Sequence, residues 1–229
     1  MKRIFIMLTF LLFPFWASAQ WSAYITGGVG GAYETMSESL FLVPQYTYVD
    51  GYSSSAAYGY SFQGGLDIEY FISPRFGLAT GLGYTFSHSP GATLNVTGGS
   101  LETKWHAEQA IEIPISLLWS PDRRHLSTIS LGLSSNFSLM YNTLIVYGSG
   151  FLWYNNYFWG AHVGYSRQLG DRLRLGILLN RNLNWYMEEI AFQKITTDVG
   201  SGTLRARHYY TNLLVTVSYR LLGGRKEKK

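Results

Sequence analysis

Cysteine is absent from the sequence, which excludes disulfides, thiolate metal sites, cysteine nucleophiles and a lipid anchor on a cysteine. Charged residues are scarce at 14%, well below the roughly 25% typical of soluble proteins. Beyond residue 20 there is no apolar run of about eighteen residues, so helices that cross a membrane are excluded. Aromatic residues, by contrast, reach 17%, and glycine occurs 25 times. Such a chain suits a β-sheet with one lipid-facing and one polar face.

The N-terminus has the pattern of a cleaved signal peptide. Two basic residues precede an apolar run over 4–16, and the small residues at 17–19 (ASA) form a cleavage site before Gln20. The apolar run is short for a membrane-spanning helix, which makes a retained N-terminal anchor the weaker alternative. The sequence therefore predicts export, with a signal peptide at 1–19.

The net charge of +4 comes largely from the two ends of the chain. Two of the 18 basic residues, Lys2 and Arg3, lie in the leader, and the tail at 225–229 carries a net charge of +3. No basic stripe interleaved with aromatic residues remains, so nucleic acid is not an expected partner. Residues 20–222 are predicted to form one outer-membrane β-barrel domain, followed by a basic periplasmic tail at 223–229.

Apolar and polar residues alternate with a period of two along most of the chain, as expected for strands with two different faces. The pattern is clearest near the C-terminus, where Leu213, Val215 and Val217 alternate with more polar neighbours. It predicts eight strands, near 21–33, 58–72, 75–87, 104–119, 126–140, 157–168, 172–184 and 207–222.

The connections between these strands alternate between short and long. Three are tight turns, at 73–75, 120–125 and 169–171, and four are about sixteen residues or longer, near 34–57, 88–103, 141–156 and 185–206. In the last of these, 187–194 suits either one or two helical turns or a strand extension. The fold class predicted is all-β: an eight-stranded antiparallel up-and-down transmembrane β-barrel with short periplasmic turns and long extracellular loops.

Alternation alone does not say which face lies inside, and a lipocalin-like soluble barrel is the alternative. The polar face is mostly Gly, Ser and Asn, which suit the cramped interior of an eight-stranded barrel and make a poor solvated surface. Aromatic residues also gather toward strand ends, as in the girdles at membrane interfaces. We therefore predict that the apolar face points outward into outer-membrane lipid.

Three segments carry a resemblance to a known family. Residues 110–119 (AIEIPISLLW), 130–134 (SLGLS) and 76–84 (FGLATGLGY) resemble successive strands of the outer-membrane β-barrel domain family that includes the PorT-like group. The resemblance spans nearly the whole mature chain and is specific for the barrel class, which also contains small OmpA- and OmpX-type barrels. It implies a role in secretion or envelope assembly, with periplasmic turns or the basic tail contacting a protein partner.

Charged residues on the polar face form the first candidate site. The sequence predicts an interior charge network of eight residues: Asp67, Glu69, Glu108, Glu112, Arg75, Arg172, Arg174 and Arg220. Because buried charges must be paired to be tolerated, we expect a filled, salt-bridged lumen, with a narrow proton or ion path as the alternative.

Other motifs carry weaker indications of chemistry. His106 and His162 share the inner face, and a hydrogen-bonded core histidine is favoured there over a metal site. Ser87, His88 and Ser166 are available to a lipid-modifying enzyme, but no third residue is placed by spacing. The glycine run at 27–31 lies inside a strand and opens no helix, unlike a phosphate-binding loop. No catalytic residue, metal site or cofactor is predicted.

The long loops are where function is expected. Their aromatic residues either extend the outer aromatic belt or contact something outside, and the contact candidates are Tyr46, Tyr48, Tyr52, Trp153 and Tyr154. The leading hypothesis is a monomeric, non-enzymatic outer-membrane barrel with a structural or binding role. A narrow channel is the first alternative and a lipid-modifying enzyme is the second.

Overall fold

The computed structural model describes residues 20–43, 53–54, 57–89, 93–96, 99–102, 106–122, 124–139, 144–147, 150–191 and 201–223. No helix in this part of the chain is long and apolar enough to cross a membrane. The strands, in chain order, are β1 Gln20–Val43, β2 Ser53–Ser54, β3 Ala57–Phe71, β4 Phe76–Ser89, β5 Thr93–Val96, β6 Gly99–Glu102, β7 His106–Trp119, β8 Ser127–Ser138, β9 Leu144–Tyr147, β10 Gly150–Tyr154, β11 Tyr157–Gln168, β12 Leu173–Asn182, β13 Met187–Ala191 and β14 Ser201–Leu222.

Eight of these strands close into a barrel. They pair antiparallel in the order β1, β3, β4, β7, β8, β11, β12 and β14, and β14 pairs again with β1. At the closing seam, Val29 lies opposite Val215 on β14 and opposite Phe62 on β3. The predicted fold class is confirmed, and each of the eight barrel strands overlaps one of the eight predicted strands.

Short turns join the strands at one end of the barrel, which we call the short-turn rim. The turns at 72–75 and 169–172 are closed by backbone hydrogen bonds, from Ile72 N–H to Phe76 O at 3.0 Å and from Leu169 N–H to Leu173 O at 2.8 Å. In the first turn, Ser73 Oγ also accepts the N–H of Phe76 at 3.0 Å. These side-chain and backbone bonds fix the turn geometry without any long connection.

At the opposite end, the long-loop rim, the sheet continues beyond the barrel on one side. β1 and β14 stay paired as far as Val43 and Ser201, well past the predicted strand ends. Three further strands, β13, β10 and β9, extend this wall from β14, while β2, β5 and β6 form a separate three-stranded sheet. Residues Met187–Ala191 therefore form a strand extension, and the helical alternative is wrong for them.

Large apolar side chains cover the outside of the barrel. Val29, Ile115 and Leu131 are 64%, 65% and 62% exposed, and every barrel strand contributes similar residues. A surface of this kind far exceeds the apolar patches of soluble proteins. The predicted orientation, apolar side outward, is confirmed, and the soluble alternative is wrong.

Aromatic residues border this apolar belt. Near the long-loop rim, Phe62 stacks on Phe86 with ring centroids 4.7 Å apart, and Tyr157 meets Trp159 edge to face at 5.3 Å. Near the short-turn rim, Trp119 is also exposed on the outer face. Rings at both ends of an apolar band are typical of barrels that sit in a bilayer.

The glycine run at 27–31 lies within β1, as the strand interpretation requires. A Cβ on Gly30 would lie 1.9 Å from the carbonyl oxygen of Leu213. Glycine at this position therefore allows β1 and β14 to approach closely at the seam that closes the barrel.

Candidate functional site in the barrel lumen

The inward side chains fill the lumen at two levels that differ in chemistry. Toward the short-turn rim lies a polar cavity of about 130 Å³, which we call the lower cavity. It is large enough to hold several water molecules. Toward the long-loop rim, a layer of buried rings and small residues, which we call the aromatic layer, consists of Tyr154, Phe158, Tyr186 and Tyr210 with Ala32 and Ala110.

Arg174 is the centre of the polar contacts at the short-turn rim. Its guanidinium forms a bidentate ion pair with Glu69, in which Nη2 lies 2.9 Å from Oε2. The same Nη2 also donates to the hydroxyl of Tyr24 at 2.8 Å. All three side chains are buried. Arg220 donates to the same Tyr24 hydroxyl at 3.1 Å and to Gln168 Oε1 at 3.2 Å. These bonds pair the buried charges of Glu69 and Arg174 with each other.

Two further carboxyl groups line the lower cavity, and their partners are neutral. Thr26 Oγ1 donates to Asp67 Oδ2 at 2.5 Å, and Gln63 Nε2 donates to Glu112 Oε2 at 2.9 Å. Among the described residues, no lysine or arginine forms an ion pair with either group. Asp67 and Glu112 thus line the cavity without a direct ion pair, although Arg174, which pairs with Glu69, also attracts Asp67 at longer range.

His162 lies in the lumen beside Ser116, with Nε2 and Oγ 2.7 Å apart. The imidazole lies across Gly132 on the neighbouring strand, where a Cβ would be 2.6 Å from Nε2. His162 is thus a hydrogen-bonded lumen histidine. The described residues include no group of three potential metal-binding side chains, and the side chain of His106 lies outside them.

The aromatic layer is held by stacking and by hydrogen bonds to one carboxyl group. The rings of Tyr186 and Tyr210 stack with centroids 4.8 Å apart. The hydroxyl of Tyr186 donates to Glu34 Oε1 at 3.0 Å, and His208 Nδ1 lies 2.7 Å from the same oxygen. Each of these four side chains is at most 1% exposed, so they are closely packed by their neighbours.

Glu108 lies at the same level, on β7. Its Oε2 accepts a hydrogen bond from Asn182 Nδ2 at 2.9 Å, and both side chains are buried. The predicted lumen carboxylates thus separate into two levels. Asp67, Glu69 and Glu112 line the lower cavity, whereas Glu108 lies beyond it.

Two arginines of the predicted network lie elsewhere. Arg75 and Arg172 are exposed in short turns, and Arg172 Nη1 donates to the hydroxyl of Tyr219 on the outer face at 3.1 Å. The prediction that they enter the lumen is wrong, because the adjacent strands begin only at Phe76 and Leu173.

Of the predicted loop contacts, Tyr154 is buried in the aromatic layer, so its placement in an exposed loop is wrong. The polypeptide turns it inward because β10 continues the barrel wall. Trp153 belongs to the same strand, but its side chain lies outside the described residues, as do Tyr46, Tyr48 and Tyr52.

The serine and histidine residues considered for an enzyme do not come together. Ser87 points into the lumen, where its hydroxyl lies 3.0 Å from that of Ser61. His88, the next residue along β4, lies on the outer face, and its ring stacks on Tyr60 with centroids 4.8 Å apart. Ser166 lines the lower cavity.

Sequence reasoning did not identify Tyr24, Glu34, Tyr186, His208 or Tyr210 as lumen residues. The period-two alternation could have identified Tyr24, His208 and Tyr210, because each lies an even number of residues from inward-facing positions on its strand. The first predicted strand ends at residue 33, which leaves Glu34 in a loop, whereas β1 continues to Val43.

No protein-family model matches the chain, and no curated protein matches it. In fold, it is similar to the outer membrane protein OprG from Pseudomonas aeruginosa, with 12% identity over 88% of this chain and 97% of that chain and a TM-score of 0.50. It is also similar to Neisserial surface protein A, with 14% identity over 89% and 99% of the two chains and a TM-score of 0.46. These likenesses concern the fold alone, and the chain has the fold of an outer-membrane β-barrel.

Proposed function

We propose that this protein is an outer-membrane barrel with a closed lumen and a structural or binding role on its long-loop side. The observation that carries the proposal is the aromatic layer. Phe158 on β11, Tyr186 just before β13 and Tyr210 on β14 are each at most 1% exposed and fill the lumen. A barrel closed in this way holds a protein in the membrane without passing solutes, which leaves the surface beyond the membrane to act.

The surface that such a role requires is present at the long-loop rim. There β1, β14, β13, β10 and β9 form a wall beyond the barrel. Tyr58, at the start of β3 on the same rim, is 76% exposed. Aromatic side chains on a rigid sheet provide contact area at a low entropic cost, as in other binding surfaces. Outer-membrane lipid surrounds the apolar belt below.

Closure of the lumen is tested by recordings in planar lipid bilayers. The purified wild-type protein is expected to give no conductance steps. Replacing Phe158 and Tyr186 together by alanine is expected to open a path and produce steps. Ile115→Ala on the lipid face is the control and stays silent. Regular steps from the wild type would reject the closed barrel.

The binding role is tested by site-specific photo-cross-linking in native membranes. A photoreactive residue at position 58 is expected to give a discrete protein adduct, whereas the same residue at position 115, in the lipid belt, gives none. An envelope or secretion protein is the partner that the family resemblance implies. Lack of any protein adduct at position 58, or the same adduct at both positions, would contradict the proposal.

A narrow channel is the second candidate, and the lower cavity favours it. The polar space between Asp67 and Glu112 covers the half of the lumen next to the short-turn rim. A channel would require the aromatic layer to move. Selective loss of cation conductance on Glu112→Gln would support this candidate over the closed barrel.

A further inference from the structure

The charged side chains of the barrel strands are divided by sign between the two faces. The described carboxyl side chains, on β1, β3 and β7, all face the lumen. On the outer face, the described Asp, Glu, Lys and Arg side chains are three arginines, Arg167, Arg181 and Arg207. Arg167 lies at the short-turn end of β11, whereas the other two lie toward the long-loop rim on the paired strands β12 and β14. The described outer face is therefore basic near the long-loop rim.

Arg181 lies among apolar side chains that face lipid. On its own strand it is exposed between Leu179 and Leu183, which are 41% and 55% exposed, and on the adjacent strands it is opposite Ala161 and Thr211. In the described part of the chain it has no hydrogen-bond or ion-pair partner. A cationic side chain on the lipid face is costly unless it reaches the interface and an anion there.

The position of Arg181 along β12 places it near the outer edge of the apolar belt. Between Leu173, where β12 begins at the short-turn rim, and Arg181 the strand extends about 26 Å. For the usual strand tilt this is a height of about 20 Å, within an apolar band about 25 Å tall. Because long basic side chains extend toward the nearer interface, the guanidinium of Arg181 can reach the headgroups of the outer leaflet.

A second arginine lies farther out on the same side of the barrel. Arg207 is about 13 Å beyond Thr211 along β14, and its guanidinium lies over the ring of Trp185, 5.8 Å from the centroid. Tyr209 lies between Arg207 and Thr211 on the same face. Two cationic groups thus lie at two depths with aromatic side chains between them. We call Arg181, Trp185, Arg207 and Tyr209 the arginine patch.

The two depths distinguish between the lipids of an outer membrane. A glycerophospholipid has one phosphate at the level of the interface, so it can pair with Arg181 and does not extend to Arg207. A lipopolysaccharide has phosphate groups at the interface and acidic sugars above them, so a single molecule spans both depths. Its sugar rings are also able to pack on the aromatic side chains of the patch. Charge and depth together therefore favour lipopolysaccharide.

We propose that the arginine patch binds a lipopolysaccharide molecule of the outer leaflet. Arg181 pairs with a phosphate just above the acyl chains, and Arg207 pairs with an acidic group of the inner sugars, because guanidinium groups bind phosphate and carboxylate oxygens through two parallel hydrogen bonds. Trp185 and Tyr209 contact the sugars between these two points. The site lies on the outside of β12 and β14, so it does not depend on a closed lumen or on a protein partner.

The test is native mass spectrometry of the full chain in detergent micelles. A purified lipopolysaccharide with a short inner core and phosphatidylglycerol are titrated separately, and the bound fraction gives each dissociation constant. The wild type is expected to bind one lipopolysaccharide molecule at least about tenfold more tightly than phosphatidylglycerol, because the second arginine adds a charge-assisted contact.

Three variants and a matched control locate the site. Arg181→Gln and Arg207→Gln are each expected to weaken the binding of lipopolysaccharide about tenfold, because each removes one charge-assisted contact. Arg181→Lys keeps the positive charge and is expected to retain most of the affinity. Arg167→Gln removes the outward arginine at the short-turn end of β11 and is expected to bind as the wild type does.

The proposal is overturned if the wild type binds no lipopolysaccharide, or if phosphatidylglycerol binds as tightly, since one phosphate would then be sufficient. It is equally overturned if Arg167→Gln weakens binding as much as Arg181→Gln does, because affinity would then follow net charge alone. The faster migration of unheated samples on a gel verifies that each variant is folded. If Arg181→Gln does not fold, Arg207→Gln is compared with Arg167→Gln in the same way.

Discussion

The two levels of the lumen fill the same barrel by different means. At the lower cavity, charged side chains reach across open space, and Arg174 joins Glu69 and Tyr24 from distant strands. In the aromatic layer, rings fill the space, and the carboxyl group of Glu34 accepts a hydrogen bond from Tyr186 and contacts His208. The same lumen is thus filled by rings at one level and by charged side chains around a cavity at the other.

The difference begins in the sequence of the strands that supply each level. β4 turns Gly77, Gly81 and Gly83 inward near the short-turn rim, which leaves volume that neighbouring charged side chains enter. Near the long-loop rim, the segments around Phe158, Tyr186 and Tyr210 place large rings inward instead. Small inward residues thus make the cavity, and large ones make the layer.

Among the variants that compare the two levels, the removal of Arg174 is expected to cause the largest loss of stability. Arg174→Met leaves Glu69 buried without its counter-charge, and loss of one partner of a buried ion pair costs about 3–5 kcal/mol. Urea unfolding in phospholipid vesicles measures the loss. The double variant Arg174→Met/Glu69→Leu is expected to recover much of the stability.

Arg172→Met is the matched control, because Arg172 is exposed and its guanidinium donates to Tyr219 on the outer face. Its unfolding midpoint is expected to match that of the wild type. If the two methionine variants lose stability equally, the ion pair in the lumen is not the reason.

In the aromatic layer, the most informative change removes one oxygen and keeps the ring. Tyr186→Phe deletes the hydroxyl that donates to Glu34 and that hydrogen-bonds with Tyr210, but preserves the stack on Tyr210. Because the acceptor is a carboxyl group, the expected loss is about 1.5–3 kcal/mol by urea unfolding. The ring is retained, so under the proposed closure of the lumen bilayer recordings are expected to remain silent.

Tyr157→Phe provides the comparison outside the lumen. The Tyr157 hydroxyl lies 3.2 Å from Ser135 Oγ and is only partly buried, so a change below about 1 kcal/mol is expected. Equal losses in Tyr186→Phe and Tyr157→Phe would mean that the lumen position of Glu34 adds nothing to the stability of the layer.

Ser116→Ala is expected to have a smaller effect at the lower cavity. It removes the hydroxyl that faces His162 Nε2, for a loss of about 0.5–1.5 kcal/mol by urea unfolding. Ser130→Ala is the control, because its hydroxyl also lines the cavity and makes no hydrogen bond to another described residue. A larger loss in the control would show that His162 does not depend on Ser116.

The sequence was enough to predict which residues face outward and which face the lumen, because this depends only on whether a position is odd or even along its strand. A period of two places Ile115 outward and Ser116 inward wherever the strand begins. Tight turns with Pro, Gly and Asp fixed the strand order by the same local chemistry. The lipid face and the short-turn rim therefore followed directly from the sequence.

The lumen contacts were less predictable because they depend on strand ends and on stagger between strands. Arg172 and Arg174 have the same parity, yet only Arg174 belongs to a strand and enters the lumen. Glu69 and Arg174 are 105 residues apart, and their pairing depends on how far each strand is displaced around the barrel. Alternation contains no information about that displacement.

The smallest expected effect lies outside both levels, in the turn at 120–126. Slight burial raises the pKa of Asp122, but backbone N–H donors outweigh it and hold the pKa below the usual value of 3.8. The donors include Leu126 and Ser127, each 2.8 Å from the carboxylate. A lowered folded-state pKa means that the ionised group stabilises the fold above pH 3.8, and that this contribution disappears as the pH falls through the folded-state pKa.

Asp122→Asn keeps one acceptor oxygen and removes the charge, so a loss of about 0.5 kcal/mol is expected at neutral pH. The difference between wild type and variant is measured by urea unfolding at neutral pH and again well below pH 3.8, where it is expected to vanish. Because the carboxyl groups of the lumen are present in both proteins, their titration cancels in this difference. If the difference in unfolding free energy persists in acid, the charge of Asp122 is not the cause. The turn would then depend on the packing and hydrogen-bond geometry of this side chain.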